Sequence, residues 1–353
     1  MLRDHAMRVL VVILNYKSAK LCEECIATLA PEVARHPGTY VVVPDNASND
    51  GSVEHLERAV AARGWSAWAR VVPLPANGGY GAGNNAAIRA GLAGEYGTPP
   101  EYVWLLNPDT LVRPGALGAL LAFLDAHPEV GIAGSRLEEA DGTQHASRYR
   151  FPTFWSELES GFRLGIVTRL LANKQIMPPL VLEQHPIDWV AGASMMLRRA
   201  VLERAGLFDE EFFLYFEEVD LCRRAKAAGV SCWYVPESRV AHIVGQSSGV
   251  TARERAIRRP RYWFDSRRRY FVKHHGVVYA FFADMAWAVG FGLWRLRRRL
   301  QRRPDLDPPR LWWDFVAHAF WPFRGPPWRP AGASSGSGIG NSGRGNERSS
   351  SQR

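Results

Sequence analysis

Four short apolar runs in the first 110 residues, each followed by a polar loop, constrain the fold more than any other feature of the chain. The runs are Arg8–Leu14, Tyr40–Val43, Arg70–Leu74 and Tyr102–Leu106. They are almost continuous and rich in β-branched residues, which is typical of parallel strands buried on both faces. They alternate with helix-like segments near residues 18–30, 52–63, 80–93 and 114–126. This alternation predicts an α/β fold with a single doubly wound, mostly parallel sheet and flanking helices.

The polar loops after these runs are predicted to form one functional edge of the sheet. In a parallel sheet the carboxyl ends of the strands meet, and ligands bind in the crevice outside them. The loops begin with Asn15-Tyr16, Asp45-Asn46, Asn77-Gly78-Gly79 and Asn107-Pro108-Asp109. We therefore expect the four loops to face a common cleft.

Asp109 is the candidate metal ligand. It follows a buried strand at a position where a turn alone does not require a carboxylate. Hard divalent cations such as Mg²⁺ or Mn²⁺ take oxygen ligands and leave coordination positions for substrate phosphates, so one strand-end carboxylate beside a diphosphate suffices. His242, after a later apolar run, is a candidate contact to the metal or to a phosphate.

A second block of the sequence carries the candidate catalytic base. Glu217, Glu218 and Asp220 open a predicted helix directly after the aromatic run Phe212–Phe216. Carboxylates at a helix start also complement the helix dipole, so their position alone does not distinguish the two roles. The aromatic neighbours favour a partly dry pocket, in which the basicity of a carboxylate is tuned for proton transfer.

The positive charge of the chain is confined to its C-terminal part. Residues 1–250 carry a net charge of −5 and residues 251–353 a net charge of +14. This asymmetry predicts a catalytic domain at 1–250. It also predicts a basic, Trp-rich region at 251–330 whose helices associate with an anionic membrane surface, and no nucleic acid partner is expected. Residues 331–353 are rich in Gly, Ser and Asn and are predicted to be disordered.

The apolar stretch Val277–Trp294 is the predicted membrane-associating element. Its 18 residues barely span a bilayer and Asp284 lies near its centre, so an interfacial or re-entrant helix is expected rather than a span. Trp287 and Trp294 are expected to supply the apolar anchor, and arginines follow directly.

The location expected for the chain is the cytoplasmic face of the bacterial inner membrane, peripherally or through one helix. Four cysteines are too few for a disulfide framework in a chain of this length, and the N-terminal residues lack the apolar core of a signal peptide.

Seven motifs follow one another in a fixed order over roughly residues 7–275. They are Asn15-Tyr16, Asp45-Asn46-x-Ser48-x-Asp50-Gly51, Asn77-x-Gly79-x-Gly81-x-Gly83-x-Asn85, Asn107-Pro108-Asp109, Gly192-Ala193, Phe208-Asp209-Glu210-x-Phe212-Phe213 and Glu217-x-x-Asp220-Leu221-x-x-Arg224. Any one of them is common. Their ordered combination resembles the family 2 glycosyltransferases of GT-A fold, in particular bacterial rhamnosyltransferase-like members.

The resemblance implies an inverting transfer of one sugar, for example the deoxyhexose rhamnose, from a nucleoside-diphosphate sugar to a glycan acceptor. A lipid-linked acceptor in cell-envelope polysaccharide synthesis is expected. The resemblance also implies a nucleotide-binding half near 7–135 and an acceptor half near 136–250. The nucleotide-binding residues that it implies are Asn15, Tyr16, Asp45, Asn46, Asn77, Gly79, Asn85 and Asn107.

The resemblance also assigns roles to the acidic residues. Asp109 stands in the place of the family's Asp-x-Asp signature and would hold Mg²⁺ or Mn²⁺ on the diphosphate, with His242 as a further contact. Family members commonly have Glu-Asp where this chain has Glu217-Glu218, so the base is Glu218 by position and Asp220 is the alternative.

Two other functions remain open at the level of sequence. A processive polysaccharide synthase shares the first half of the pattern, but it normally has a Gln-x-x-Arg-Trp segment and several membrane spans, which this sequence lacks. A non-catalytic membrane-surface scaffold would keep the fold, although the intact set of carboxylates argues against it. The glycine loop is not a dinucleotide fingerprint, because Gly79-x-Gly81-x-Gly83 differs from GxGxxG and follows the third strand.

Overall fold

The computed structural model describes residues 6–145, 147, 149–243, 251–252 and 255–321. Its strands are β1 (Val9–Ile13), β2 (Thr39–Asp45), β3 (Ala69–Pro73), β4 (Tyr102–Leu106), β5 (Thr110–Val112), β6 (Val130–Glu138), β7 (His185–Ile187), β8 (Ser194–Arg198), β9 (Ser231–His242), β10 (Thr251–Ala252) and β11 (Arg255–Ala256). Its helices are α1 (Ala19–Arg35), α2 (Ser52–Ala62), α3 (Gly79–Leu92), α4 (Ala116–Ala126), α5 (Phe154–Phe162), α6 (Gly165–Leu170), α7 (Arg199–Ala205), α8 (Glu217–Ala227), α9 (Arg261–His275), α10 (Val277–Leu300) and α11 (Leu311–Phe320), with a 3₁₀ turn at Ala172–Lys174. The segment predicted to be disordered, 331–353, lies outside the described residues.

Within the described residues, nine strands form one sheet in the order β3-β2-β1-β4-β8-β6-β9-β5, with β7 paired to β9. The neighbours β3, β2, β1 and β4 are parallel. Strand β8 is antiparallel to both β4 and β6, which gives β6 and its parallel neighbour β9 the direction of the first four strands. Strands β5 and β7 run antiparallel to β9. The predicted α/β class with a mostly parallel sheet is confirmed.

Helices cover both faces of the sheet because alternate residues of the central strands are apolar. Val9, Val11 and Ile13 of β1 pack into the core beneath α1, α2 and α4. Leu10 and Val12 point to the opposite core, which α3, α7 and α8 cover. All five positions are fully buried, so β1 is a central strand with two dry faces.

Helix α1 is longer than the sequence pattern predicts. The predicted helix ends at residue 30, before Pro31, whereas α1 continues to Arg35. Its last turn is held by a tertiary contact, since the buried Glu32 carboxylate accepts hydrogen bonds from the amides of Gly115 (2.8 Å) and Leu117 (3.1 Å). These bonds also satisfy two free amides at the start of α4.

The C-terminal helices pack directly on the sheet domain. Phe212 and Val219, from the segment before α8 and from α8 itself, share a core with Tyr270, Phe271 and Ala283 of α9 and α10. The packing is therefore continuous across residue 250, where the charge pattern predicts a boundary between two regions.

Helix α10 is 24 residues long and is the one described helix whose length and composition would allow it to cross a bilayer. Its central carboxylate does not face outward. Asp284 is buried and pairs with Arg267 and with Arg268 (3.2 Å), and Arg267 also pairs with Glu157 of α5 (2.7 Å). The other face of α10 is exposed and apolar, with Val277, Val278, Phe281, Phe282, Met285, Val289, Leu293, Leu296 and Leu300.

The expectation that Trp287 anchors the chain in a membrane is wrong. Trp287 is buried, because its ring stacks on Phe291 at 4.6 Å and packs on Phe315 of α11 at 4.3 Å. Among the described tryptophans, Trp313 and Trp321 are the more exposed, at 57% and 66%.

Only some of the arginines after the apolar stretch face solvent. Arg297 donates to the carbonyl groups of Phe162 and Arg163, and Arg298 pairs with Asp305. The exposed members of this group are Arg299, Arg302 and Arg303. The basic charge available at the end of α10 is therefore smaller than the sequence count indicates.

Gly79 brings the start of α3 against the segment that precedes α8. Its φ is +89°, and the neighbouring Tyr80 amide donates a hydrogen bond of 2.8 Å to the Phe213 carbonyl. A Cβ atom at residue 79 would lie 2.0 Å from that carbonyl oxygen, so glycine is required for this approach.

We expect Gly79→Ala to lower the free energy of unfolding by more than about 3 kcal/mol, because a backbone collision adds to left-handed strain. Gly115→Ala is the matched control: its φ is +85° and no atom lies within 4 Å of its Cβ position. The control should lose about 1–2 kcal/mol. Urea denaturation measures both losses, and equal values would contradict a steric role for Gly79.

Candidate active site

A cleft of about 470 Å³ opens between the loops that follow β1 to β4 and the start of α8. The four polar loops face it together, as the parallel strand pattern predicts. The cleft-lining residues to which the sequence patterns point are Tyr16, Asn46, Asn77, Gly79, Asn107, Asp109, Glu217, Glu218 and His242.

Asn15 and Asp45 are buried behind the cleft wall and do not line it. The Asn15 side-chain amide donates to Asp45 Oδ1 at 2.6 Å, and the same carboxylate accepts from the hydroxyl (2.6 Å) and the amide (2.9 Å) of Ser48. The structure thus gives Asp45 three protein donors and uses it to hold the first two loops together. Direct contact of these two residues with a nucleotide stays a prediction.

Asn46 and Asn77 connect the second loop to the third at the surface of the cleft. The Asn46 side-chain amide donates to Asn77 Oδ1 (2.9 Å) and to the Gly79 carbonyl (3.1 Å). Asn77 Oδ1 also accepts from the Gly79 amide at 3.0 Å. Tyr16, 40% exposed, presents an aromatic ring on the neighbouring loop.

Asn85 lies outside the cleft lining. It is fully buried in α3 and exchanges hydrogen bonds with the Phe208 backbone: its amide group donates at 2.9 Å and its oxygen accepts at 3.1 Å. The same amide group donates to Glu210 at 2.8 Å. The structure therefore uses Asn85 to join α3 to the segment before α8, and its contact with a nucleotide stays a prediction.

Asp109 and His242 meet at one side of the cleft. The pairing of β5 with β9 sets Thr110 opposite His242, and His242 Nε2 lies 3.3 Å from Asp109 Oδ1. The Asp109 side chain is almost fully buried, with 1% of its surface exposed. A carboxylate oxygen and an imidazole nitrogen, from residues far apart in the sequence, are thereby brought close together.

Glu217 and Glu218 enter the cleft from the first turn of α8. The two preceding residues, Tyr215 and Phe216, both have left-handed backbones with φ of 72° and 69°. Such conformations are costly for aromatic residues and are found where a site is held in a particular shape. This turn directs the two adjacent carboxylates toward the cleft.

Burial raises the pKa of both carboxyl groups. The pKa of Glu218 rises to about 7, although backbone amides, among them that of Gly192, partly oppose the shift. The pKa of Glu217 is held well above its ordinary value by burial and by the charge of Glu218. In the described part of the chain, the buried Oε2 atoms of both residues have no hydrogen-bond partner. Each therefore keeps one acceptor oxygen that the described residues leave unused.

Asp220, the alternative base, is not among the cleft-lining residues. It is fully buried and accepts from His274 Nε2 (2.8 Å), while Lys273 (2.7 Å) and Arg224 (2.8 Å) pair with it. Burial opposes its ionisation, but these bonds and the charge of Arg224 hold the pKa of Asp220 well below its usual range. Its carboxylate is a poor proton acceptor and serves to fix α8 on α9.

Several cleft-lining residues are not identified by the sequence patterns. Tyr80, whose hydroxyl donates to the Gly192 carbonyl at 2.8 Å, lies in the glycine loop, where only the glycines and asparagines attract attention. Arg259 and Tyr262 belong to the basic C-terminal region, and nothing in the sequence separates Arg259 from its arginine neighbours. Only the packing of α9 on the cleft brings them there.

Comparison with known proteins agrees with this geometry. A model of the family described as "Glycosyltransferase like family 2" matches residues 5–260. The N-acetylglucosaminyl-diphospho-decaprenol L-rhamnosyltransferase of Mycobacterium tuberculosis is 29% identical over 310 residues, which are 84% of this chain and 91% of that protein. The rhamnosyltransferase WbbL of Escherichia coli K12 is 30% identical over 171 residues, 47% of this chain and 61% of WbbL.

Among solved structures, the mannosyltransferase PcManGT of Pyrobaculum calidifontis, in complex with GDP-Man and Mn²⁺, resembles this chain with a TM-score of 0.53 at 18% identity. The similarity covers 91% of this chain and 89% of that one, and it supports the predicted GT-A fold. Since the family model matches most of the sequence, the chain is a glycosyltransferase that belongs to family 2, and its relatives include the rhamnosyltransferases that the order of its motifs predicts.

Proposed function

We propose that the chain transfers one deoxyhexose, of which L-rhamnose is the best-supported example, from a nucleoside-diphosphate sugar to a lipid-linked glycan, with inversion at the anomeric carbon. One observation carries the proposal: the Asp109–His242 pair and the high-pKa Glu218 line the same cleft. The named activity of the M. tuberculosis relative, rhamnosyl transfer to a diphospho-decaprenol-linked sugar, supports the choice of substrates.

The loops after β1 to β4 supply the proposed nucleotide side of the cleft. Tyr16 offers an exposed ring on which a base can stack, and Asn77 and Asn107 offer amide groups for hydrogen bonds beside Asn46. Asn46 and Asn77 already bond to each other, so their orientation is set before the donor arrives. This preorganisation lowers the entropic cost of binding.

The donor set of Asp109 and His242 fits a divalent cation. A carboxylate oxygen and an imidazole nitrogen 3.3 Å apart are close enough to share one coordination sphere. Among the described residues, no group of three or more His, Cys, Asp or Glu side chains forms a candidate metal site, so the other ligands of such an ion would be substrate oxygens and water. When bound, Mg²⁺ or Mn²⁺ would neutralise charge on the leaving diphosphate.

Glu218 is the proposed base. Its carboxylate accepts the proton of the acceptor hydroxyl while the hydroxyl oxygen attacks the anomeric carbon and the bond to the diphosphate breaks. A single displacement of this kind inverts the anomeric centre. A carboxyl group with a pKa of about 7 suits the task, because near neutral pH it is substantially ionised and still binds a proton well.

The exposed apolar face of α10 is the proposed membrane-contacting surface. Its opposite face packs on α5 and α9 through Arg267 and Asp284, so lipid cannot surround the helix. The exposed face ends beside Arg299, Arg302 and Arg303, which would attract anionic headgroups. We therefore propose that α10 lies in the interface of the cytoplasmic leaflet, where a lipid-linked acceptor is present.

The purified full-length chain is expected to transfer sugar from dTDP-L-rhamnose to a synthetic prenyl-diphospho-GlcNAc acceptor only when Mn²⁺ or Mg²⁺ is added. Asp109→Asn should abolish transfer and metal-dependent dTDP binding, because it removes the charged metal ligand. Asp50→Asn, which removes an exposed carboxylate from the second loop, is the control. Mass spectrometry and calorimetry measure the two effects. Transfer from no sugar nucleotide in a panel would contradict the proposed function.

Glu218→Gln is expected to lower kcat by about 10²–10⁴-fold, the usual effect of losing a general base, with donor affinity unchanged. In the wild type, kcat should rise with pH through about 7, since the pKa of Glu218 lies there and only its ionised form accepts a proton. Asp220→Asn should instead lower the melting temperature and keep this pH profile. A lost pH dependence in Asp220→Asn with a normal profile in Glu218→Gln would reverse the assignment.

Replacement of Val278, Phe282 and Val289 by Ser is expected to reduce flotation with phosphatidylglycerol vesicles more than about tenfold, because it removes apolar area from the exposed face of α10. The control replaces Met177, Leu180 and Leu182, which are also exposed. Equal losses in both variants would show that α10 is not the docking element. High salt should release the wild type only in part.

A further inference from the structure

The charge of the cleft is unbalanced for a site that receives phosphate groups. Three carboxylates line it, those of Asp109, Glu217 and Glu218. Among the described cleft-lining residues, Arg259 is the one arginine or lysine. Each of these carboxylates repels a diphosphate ester when it is ionised, so binding of the ester depends on the cations that face the cleft.

Arg259 differs from its arginine neighbours in how its charge is used. Arg258 forms two hydrogen bonds to Asp314, at 2.7 and 2.8 Å, and Arg261 Nε lies 3.5 Å from Asp265 Oδ2. For Arg259, no carboxylate of the described residues lies within ion-pair distance. Its guanidinium lies over the ring of Trp263, 5.6 Å from the centroid. The charge of Arg259 is therefore available to a ligand.

The backbone around Arg259 holds it at the cleft. Pro260 is the N-cap of α9, and Tyr262, in the first turn of that helix, contacts the rings of Phe213 (5.4 Å) and Tyr215 (6.2 Å) on the segment before Glu217. Arg259 also lines a second groove of about 320 Å³, together with Arg258, Arg261, Phe264, Asp314 and His318. It is the described residue that the two cavities share.

We propose that Arg259 binds a diphosphate group in the cleft, as a substrate-binding residue supplied by the C-terminal region. A guanidinium presents two parallel N–H donors to phosphate oxygens, so it offsets the repulsion from the carboxylates and orients the group. The inference rests on the proposed function in one respect, because there both substrates carry a diphosphate: the nucleotide donor and the lipid-linked acceptor. The shared chemistry is a diphosphate ester, and separate probes for the donor and the acceptor distinguish the two sources.

Calorimetric titration of the full-length protein with two probes tests the assignment. dTDP represents the donor, and farnesyl diphosphate in detergent represents the acceptor. Arg259→Gln is expected to weaken binding of at least one probe by about 10- to 100-fold, the loss of a charge-assisted bidentate contact. Arg258→Gln, whose arginine is already paired with Asp314, is the matched control and should change affinity less than about twofold.

Each result has a defined meaning. Loss of dTDP binding alone assigns the donor diphosphate to Arg259, and loss of farnesyl diphosphate binding alone assigns the acceptor diphosphate. Unchanged affinity for both probes, or an equal loss in Arg258→Gln, overturns the proposal. If Arg259→Gln melts at a lower temperature than the wild type, Arg259→Lys is used instead. We expect Arg259→Lys to bind with an affinity between those of the wild type and Arg259→Gln. Wild-type affinity of Arg259→Lys for both probes would contradict bidentate binding.

The binding assay requires no turnover. A chain that transfers no sugar in the activity test can therefore still confirm or overturn the role of Arg259, and the two failures are distinguishable.

Discussion

The backbone approach of Gly79 to Phe213 is the constraint on which the active-site cleft depends. It sets the start of α3 against the segment that leads to Glu218, and so joins the nucleotide side of the cleft to the side that carries the proposed base. The Tyr80 hydroxyl extends this junction with a bond to the Gly192 carbonyl, while the Gly192 amide donates to the Glu218 carboxylate. The glycine loop thus packs the start of α3 against the segment before α8.

Helix α8 carries two carboxylates, Glu218 and Asp220, whose pKa values are shifted in opposite directions. Glu218 and Asp220 are two residues apart, which places them about 200° apart around a helix, so one faces the cleft and the other faces α9. Burial without a counter-ion raises the pKa of Glu218, whereas Lys273, His274 and Arg224 keep Asp220 ionised. Separation of pKa values within one short segment distinguishes a group that moves a proton from one that holds the structure.

A buried group of charged side chains fixes the orientation of the C-terminal helices. One face of α10 packs on the domain, and the other face is exposed. Arg267 lies between Glu157 and Asp284 with almost no exposed surface, and an incomplete set of these charges would be costly to bury. The grouping therefore selects one rotation of α10, in which its polar residue faces the protein and its apolar stripe faces outward. Asp284, which in the sequence argues against a membrane element, is what directs the apolar face away from the domain.

The sequence by itself determined the first four parallel strands, the helices that alternate with them and the edge of the sheet that carries the site, because apolar periodicity and strand-end polarity are local properties of a chain. Strand β4 has the predicted bounds, and Asp109, Glu218 and His242 do meet in one cleft. Only the tertiary structure decided which polar residues face it. Asn15 and Asn46 look alike in sequence, yet one is buried against Asp45 and the other lines the cleft.

The same reason explains what the sequence could not determine about the C-terminal region. Charge and aromatic content are sums over a segment and carry no information on the direction of a side chain, so they predict the basic region as one membrane-facing unit. In the folded chain Trp287 packs inward, Arg298 pairs with Asp305, and Arg259 faces the cleft. The side-chain directions are set by contacts between residues far apart in the chain, such as the contact of α9 with the segment before α8. A local sequence pattern holds no information on such contacts.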